Sequence, residues 1–302
     1  MKVKVRVPAT SANLGPGFDA LGIALELYNY VEMREGPPGV MVETYGEGAG
    51  ELPAGEDNLV YRAAAEVFRM AGLRLPGLHL RLENHIPLCR GLGSSAAAIV
   101  GGMLAANRMA GNPLTPQEIL SLAADMEGHP DNVTAALSGG ITISCLHQER
   151  VVYARIPPPR NLQAVIAVPF FPLSTRLARE ILPSEVPMGD AIFNIQRTSL
   201  LVAALCTGNL ELLEVAMTDR IHQPYRQGLV PGLLEAIDSA RAAGALGVTL
   251  SGAGPSVVAW VAGDTEPVRA ALEMAMKESR ILVCDLAAEG ATVEESYQEE
   301  MV

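Results

Sequence analysis

The decisive stretch is Pro87-Leu88-Cys89-Arg90-Gly91-Leu92-Gly93-Ser94-Ser95-Ala96-Ala97. Upstream of it, Leu78, Leu80 and Leu82 alternate as a strand that runs into His85-Ile86-Pro87. Downstream, small residues continue from about Ser95 to Met109 as a helix. Two glycines and two hydroxyls therefore sit where a strand-derived loop becomes a helix start. A helix amino terminus presents unpaired N–H groups and roughly half a positive charge, which favours an anion. Gly91 and Gly93 carry no Cβ to keep a phosphate off the backbone, and Ser94 can offer its hydroxyl to a phosphate-bound Mg²⁺. A Gly-Ser hinge before an ordinary buried helix is the other reading of the same pattern.

The ordinary P-loop needs a lysine directly after its last glycine. Here Ser94 follows Gly93, and the only lysines in the chain are Lys2, Lys4 and Lys277. A protein-kinase arrangement needs a phosphate-pairing lysine on a strand and is excluded for the same reason. A phosphate site in this chain has to draw its positive potential from backbone dipoles, a metal and arginine.

Three further segments carry candidate chemistry. Pro8-Ala9-Thr10-Ser11-Ala12-Asn13-Leu14-Gly15-Pro16-Gly17-Phe18-Asp19 places Asn13 and Asp19 on a turn between apolar strands, suited to substrate contacts or to plain turn chemistry. Ser251-Gly252-Ala253-Gly254-Pro255-Ser256 joins two apolar strands and reads either as a close backbone approach or as a hairpin loop. In Glu127-Gly128-His129-Pro130-Asp131-Asn132, Glu127 falls at a helix end that is already negative. A cation such as Mg²⁺ would repair that placement; solvent exposure would also tolerate it. His129 in its Gly-His-Pro setting reads as a hydrogen-bonding turn residue.

Composition narrows the function classes. With 22 basic and 34 acidic residues the net charge is −12, and no cationic stripe offers a footprint for nucleic acid. Residues 281–302 hold six of the acids and no Lys or Arg. The longest apolar stretch, Ala96 to Ala106, is interrupted by Gly101 and Gly102 and falls short of the ~20 residues that span a bilayer. Met1 to Val7 alternates charge with valine, a strand pattern and not a signal peptide. Cys89, Cys145, Cys206 and Cys284 form no Cys-x-x-Cys pair, and the histidines show no His-x-x-x-His spacing. A reduced, cytoplasmic enzyme without a structural metal cage, a membrane span or a nucleic-acid partner is expected.

The chain alternates strands and helices without regular βαβ repeats. Strands are expected at Val3–Val7, Ala20–Glu32, Val40–Tyr45, Ala164–Val168, Val248–Leu250, Val257–Val261 and Ile281–Leu286. Asp57 or Asn58 caps a helix whose apolar face is Val60, Ala63, Ala64, Val67 and Phe68. Thr115, Pro116 and Glu118 make a capping box that starts a helix ending near Gly128. Later helices are expected near Thr175–Leu182, Ala191–Cys206, Leu210–Thr218, Pro231–Ala243 and Glu266–Ser279. Ile156-Pro157-Pro158-Pro159-Arg160 is the linker candidate, dividing the chain into residues 1–158 and 159–302.

The three glycine segments, in this order and at these distances, resemble the GHMP kinase superfamily along essentially the whole chain. The first segment, His129-Pro130-Asp131-Asn132, Ser174-Thr175-x-x-Ala178-Arg179, and Gln223-Pro224-Tyr225-Arg226 followed by Leu229-Val230-Pro231-Gly232 are similar to its homoserine kinase branch. Mevalonate kinases place a lysine in the first segment, and this chain has none there.

That resemblance implies an α+β, two-domain GHMP kinase fold, with a ribosomal protein S5 domain 2-like amino-terminal domain and a ferredoxin-like carboxy-terminal domain. It implies ATP and Mg²⁺ as cofactors, L-homoserine as substrate, O-phospho-L-homoserine for threonine synthesis as product, and a homodimer. Pro87 through Ala97 correspond to the ATP loop, with Ser94 and Glu127 as Mg²⁺ ligands. Asn13, Asp19, Asn132, Thr175, Arg179 and Arg226 correspond to the homoserine pocket. The chemistry matches: guanidinium forks of Arg179 and Arg226 suit a carboxylate, and Asp19 suits an ammonium. Asp131 is the candidate general base, in a reaction where positioning and charge neutralisation carry most of the catalysis. A GHMP kinase for another small alcohol and a non-catalytic sensor on the same fold are the alternatives.

Overall fold

The computed structural model describes residues 2–297, with side chains through residue 294; Glu299 and Glu300 of the acidic segment lie outside them. The elements follow in chain order. They begin with β1 (Lys2–Ala12), β2 (Leu21–Glu35), β3 (Val40–Gly46), α1 (Leu59–Met70), β4 (Leu78–Asn84), α2 (Ser94–Met109) and α3 (Pro116–Glu127). Next come α4 (Pro130–Ser138), β5 (Ile141–His147), β6 (Arg150–Ile156), β7 (Leu162–Pro169), α5 (Thr175–Glu180) and α6 (Met188–Thr207). The chain closes with α7 (Leu213–Ala216), α8 (Gln223–Arg226), α9 (Leu233–Ala242), β8 (Gly247–Leu250), β9 (Val257–Ala262), α10 (Glu266–Ala275), β10 (Ser279–Asp285) and β11 (Thr292–Tyr297).

Two sheets organise these elements. The first has seven strands ordered β11-β1-β2-β4-β3, with β5 joining β2 and β6 joining β5. β2 is long enough to serve two partners: Tyr30–Glu35 pair with β4, and Leu21–Ile23 pair with β5. The last strand returns across the chain to β1, where Arg6 meets Glu294 at 3.3 Å. The second sheet is antiparallel in the order β10-β7-β9-β8. Numbered within that half, the order is 4-1-3-2 with helices in both crossovers, the ferredoxin-like arrangement.

Local signals explain the elements that position the site. Asn58 caps α1 by accepting from Val60 N, and Val60, Ala63, Ala64, Val67 and Phe68 are its buried face, as the periodicity predicts. Thr115 and Glu118 close the capping box that starts α3. α2 is buried along ten of its positions, because alanines and glycines let it lie between α1 and β1. A Cβ on Gly101 would come within 2.7 Å of Val31, and one on Gly102 within 2.6 Å of the Val60 carbonyl. β7 is buried on both faces: Ile166 and Val168 join the core of the first sheet, while Val165 and Ala167 join the core under α9 and α10. The two cores therefore meet along one strand, and the loops at that seam form the site.

Three expectations shift. Residues 130–138 form the helix α4 where the sequence reads as a turn, because Pro130 is the first helical residue and not a break. Leu210–Thr218 is divided into a 3-10 turn at Leu210–Leu212 and the short α7. α10 stops at Ala275, and the chain is already in β10 at Ser279.

Candidate functional site

The three glycine segments converge. Gly93 caps α2 in the left-handed region at φ 71°, and a Cβ there would lie 1.9 Å from Thr10 Oγ1. A Cβ on Gly91 would lie 2.2 Å from the Ser251 carbonyl oxygen. Ser251 Oγ donates to the Gly91 carbonyl at 2.7 Å, and Gly252 N donates to the Ala12 carbonyl at 3.1 Å. The third segment thus welds the first to the phosphate-loop candidate, which decides between the close-approach and hairpin readings. Glycine is required at 91 and 93 because the Ser251–Gly254 backbone and the Thr10 side chain occupy the space a side chain would need, and both backbones are left-handed.

Arg90 has a different task from the one expected of an arginine in this loop. Its Nε donates to Pro169 O at 2.6 Å, its Nη1 to Leu88 O at 2.8 Å and its Nη2 to Phe170 O. The guanidinium is thereby committed to carbonyls at the end of β7, stapling the loop to the second sheet. Positive potential at the loop comes from the α2 amino terminus, where Ser94 is the first helical residue. Ala96 and Ala97 lie fully buried beneath it and provide its packing.

A cavity of about 360 Å³ runs from this loop into the substrate-side residues. Pro87 through Ser95 line it, and so do Asn13, Asp19, Asn132, Thr175, Arg179 and Arg226. Asn13 is held internally: its Oδ1 accepts from Asp19 N at 3.0 Å and its Nδ2 donates to Gly252 O at 3.0 Å. Asn13, Leu14 and Asp19 all have left-handed backbones, at φ 70°, 47° and 56°. Strain of this kind persists only where the surroundings over-determine it.

Asp19 and Arg179 face each other as a bidentate pair, Nη1 to Oδ2 at 3.0 Å and Nη2 to Oδ1 at 2.6 Å. The carboxylate holds the guanidinium pKa above its ordinary value by hydrogen bonding. Arg226 is 1% exposed and has no carboxylate within 4.0 Å among the described residues. Burial, with repulsion from Arg179, pushes its guanidinium down to about 10. A buried cation that no carboxylate contacts directly is costly, with Asp19, Asp219 and Asp131 offsetting its charge only from farther off, and it sits in the wall of the cavity.

Glu127 is half-buried against the same cavity and accepts from Ser95 Oγ at 2.7 Å. Burial pushes its carboxyl pKa up, opposed by the Ser95 hydrogen bond. No Lys or Arg lies within 4.0 Å of it among the described residues, and besides the Ser95 hydroxyl only the nearby His129 acts to favour its charge. That environment fits a hard divalent cation. Asp19, His129 and Asp131 also bring ligand atoms within 4.8 Å of one another. Arg179 and His129 already balance those two carboxylates, which makes that group the poorer fit.

His129 caps α4 and also lines the cavity, with its Nδ1 2.6 Å from Asp131 Oδ1. Burial lowers the imidazole pKa, but the Asp131 hydrogen bond and the charges of Asp131 and Glu127 outweigh it, leaving it above the ordinary value. Thr10 Oγ1 donates to Asn132 Oδ1 at 2.7 Å, turning the amide nitrogen of Asn132 the other way. Thr10 and Phe18 belong to the first segment but were not legible as site residues, since an apolar strand and a turn need such residues anyway.

Comparison with known proteins agrees with this geometry. Residues 58–140 match the model of the GHMP kinases N terminal domain, and residues 201–278 match that of the GHMP kinases C terminal region. The chain is 52% identical over 305 residues to a homoserine kinase of Symbiobacterium thermophilum, covering 96% of this chain and 94% of that one. It is 47% identical over 271 residues to a homoserine kinase of Carboxydothermus hydrogenoformans, covering 90% and 88%. The crystal structure of a homoserine kinase from Cytophaga hutchinsonii superposes with a TM-score of 0.86 at 32% identity, over 97% of each chain.

Proposed function

The chain belongs to the GHMP kinase family and has the activity of a homoserine kinase, and on that premise we propose how its residues divide the reaction. ATP phosphates lie along Pro87 to Ser95 against the α2 amino terminus, with Ala96 and Ala97 packed beneath. Ser94 and Glu127 hold Mg²⁺, which when bound neutralises charge on the transferring phosphoryl group. The L-homoserine carboxylate meets Arg226 and Arg179, its ammonium meets Asp19, and Asn13, Asn132 and Thr175 complete the pocket.

The observation that carries this reading is the buried Arg226, with no carboxylate in contact, in the wall of the cavity that continues to the phosphate loop. The Asp19–Arg179 pair supports it, because a zwitterionic amino acid can exchange for both partners at once. Asp131 takes the hydroxyl proton. Its Oδ1 is engaged by His129 and by Asn132 N, while its Oδ2 accepts no hydrogen bond from any described residue. Little basicity is needed, since the transition state is loose and positioning dominates.

The reading extends to the organisation of the protein. Residues 1–158 and the segment from 159 to the end of β10 act as two domains with the site at their seam, β11 crossing back to the first sheet; two copies associate as a homodimer, and the enzyme works in the cytoplasm. Four free cysteines support the last point. Light scattering of the purified chain checks the dimer.

The deciding experiment is a kinetic comparison of wild type and Arg226→Leu with ATP and homoserine, with serine and mevalonate as competing acceptors. Loss of a buried charge-assisted contact raises the homoserine KM by roughly two orders of magnitude. The ATP KM changes little. Equal loss for both substrates would make Arg226 structural.

A further inference from the structure

Arg226 is oriented by a group of residues packed around its guanidinium. Its Nε donates to Ala178 O at 3.0 Å, and its Nη1 donates to Gly252 O at 3.0 Å. The same Nη1 lies 3.1 Å from His222 Nδ1. Nη2 has no partner among the described residues, so one edge of the fork is fixed and the other is left for a ligand.

The histidine's own partners decide which nitrogen carries its proton. His222 is fully buried, and its Nε2 lies 2.7 Å from the Gly15 carbonyl, which can only accept. Nε2 therefore bears the hydrogen, and Nδ1 is left as an acceptor facing Arg226. Burial keeps the ring neutral by lowering its pKa. The nearest carboxylate, Asp219 Oδ2, is 3.6 Å from Nε2 and is occupied elsewhere. It takes the backbone N–H groups of His222 and Gln223 at 3.0 and 2.7 Å, while Oδ1 takes Ile221 N and Asn194 Nδ2.

Phe18 completes the arrangement. Its ring stacks on His222 with centroids 5.1 Å apart and 23° between planes. The guanidinium carbons of Arg226 and Arg179 lie 5.3 and 5.4 Å from the Phe18 centroid. One aromatic ring thus lies against two like charges that repel each other, and the ring quadrupole offsets part of that repulsion.

We propose that His222 and Phe18 are positioning residues for substrate recognition, holding Arg226 and Arg179 at the spacing an amino-acid carboxylate requires. This rests on the reading in which Arg226 meets the homoserine carboxylate. His222 supplies the acceptor that fixes the Arg226 fork, and Phe18 supplies the platform that keeps both guanidinium groups over one site.

The test measures KM for homoserine and for ATP, and kcat, in His222→Leu, His222→Asn, Phe18→Leu and Phe18→Tyr, each also combined with Arg226→Leu. His222→Leu and Phe18→Leu are expected to raise the homoserine KM roughly tenfold, the scale of one lost hydrogen bond or cation–π contact. The ATP KM stays within about twofold. His222→Asn, which keeps a short acceptor near Nδ1, and Phe18→Tyr, which keeps the ring, recover most of the loss. On the Arg226→Leu background His222→Leu adds no further loss, because residues that act through one group are not additive, while Phe18→Leu keeps only the part of its effect that runs through Arg179. Equal effects of His222→Leu and Phe18→Leu on both backgrounds overturn the proposal. So does a parallel rise in both KM values. If Arg226→Leu alone leaves the homoserine KM unchanged, the carboxylate reading fails first; if it acts while the His222 and Phe18 variants do not, only the positioning role fails. Should His222→Leu not fold, the Phe18→Leu and Phe18→Tyr pair decides, since Phe18 is half-buried at the cavity wall.

Discussion

Gly93 sits directly against Thr10: a Cβ at position 93 would fall 1.9 Å from Thr10 Oγ1, and Thr10 N donates to Leu92 O at 3.1 Å. The candidate phosphate loop is therefore seated on β1, and its height above the sheet is set by the absence of one methyl group.

Gly93→Ala carries both a left-handed backbone cost of about 1–2 kcal/mol and this collision. It is expected to abolish ATP binding and lower the melting temperature. Ser94→Ala is expected to weaken Mg-ATP binding without a thermal penalty, since Ser94 makes no side-chain hydrogen bond among the described residues. Calorimetric titration and thermal melts on both variants separate the two cases, and normal ATP binding by Gly93→Ala contradicts the seating.

Arg90→Met removes the three donors that reach Pro169, Phe170 and Leu88. A charge-assisted hydrogen bond contributes about 1.5–3 kcal/mol. A fall of several degrees in melting temperature is expected, with the ATP KM rising as the loop loosens. Loss of ATP affinity at an unchanged melting temperature would mean that Arg90 contacts a phosphate instead.

Glu127→Gln keeps the shape and the Ser95 partner but removes the charge. The Mg²⁺ concentration for half-maximal activity is expected to rise roughly tenfold or more, as loss of metal-site support does elsewhere. The homoserine KM stays near wild type. A magnesium titration at fixed ATP checks this, and an unchanged midpoint would transfer the metal to the Asp19, His129 and Asp131 group.

The His129–Asp131 pair makes a signed pH prediction. The imidazole pKa is raised in the folded chain, so the fold binds that proton more tightly than the unfolded chain does. Its stabilisation is complete below about pH 6.5, the unfolded value, and fades as pH rises through the folded value. The melting-temperature gap between wild type and His129→Gln is expected to be wider at about pH 6 than at about pH 9. A gap that widens with pH contradicts the ion pair.

Elements whose signals lie within a few residues were legible in the sequence. α1 and α3 carry their caps and apolar stripes on adjacent turns. α4 was not, because Pro130 through Ala136 are all buried and leave no amphipathic period. The β5–β6 hairpin turns at Gln148 and Glu149, both left-handed at φ 47° and 64°, without the glycine that usually announces such a turn. β11 was hidden by its acidity, as its register against β1 depends on Arg6 and other partners nearly three hundred residues away.

For the site, the residue types alone carried the inference as far as a lysine-free phosphate loop and the glycines at 91 and 93, and the family resemblance added the arginines at 179 and 226. Those conclusions rest on chemistry that a side chain keeps wherever it is placed. Partner choice was decided by the tertiary structure. Only there does Arg90 turn to carbonyls, Arg179 close on Asp19, and Arg226 stay buried without a carboxylate against His222 and Phe18. Each of those contacts joins segments far apart in the chain, and hydrogen bonds and charge pairs are set by distances of a few ångströms that only the packing of the two sheets determines.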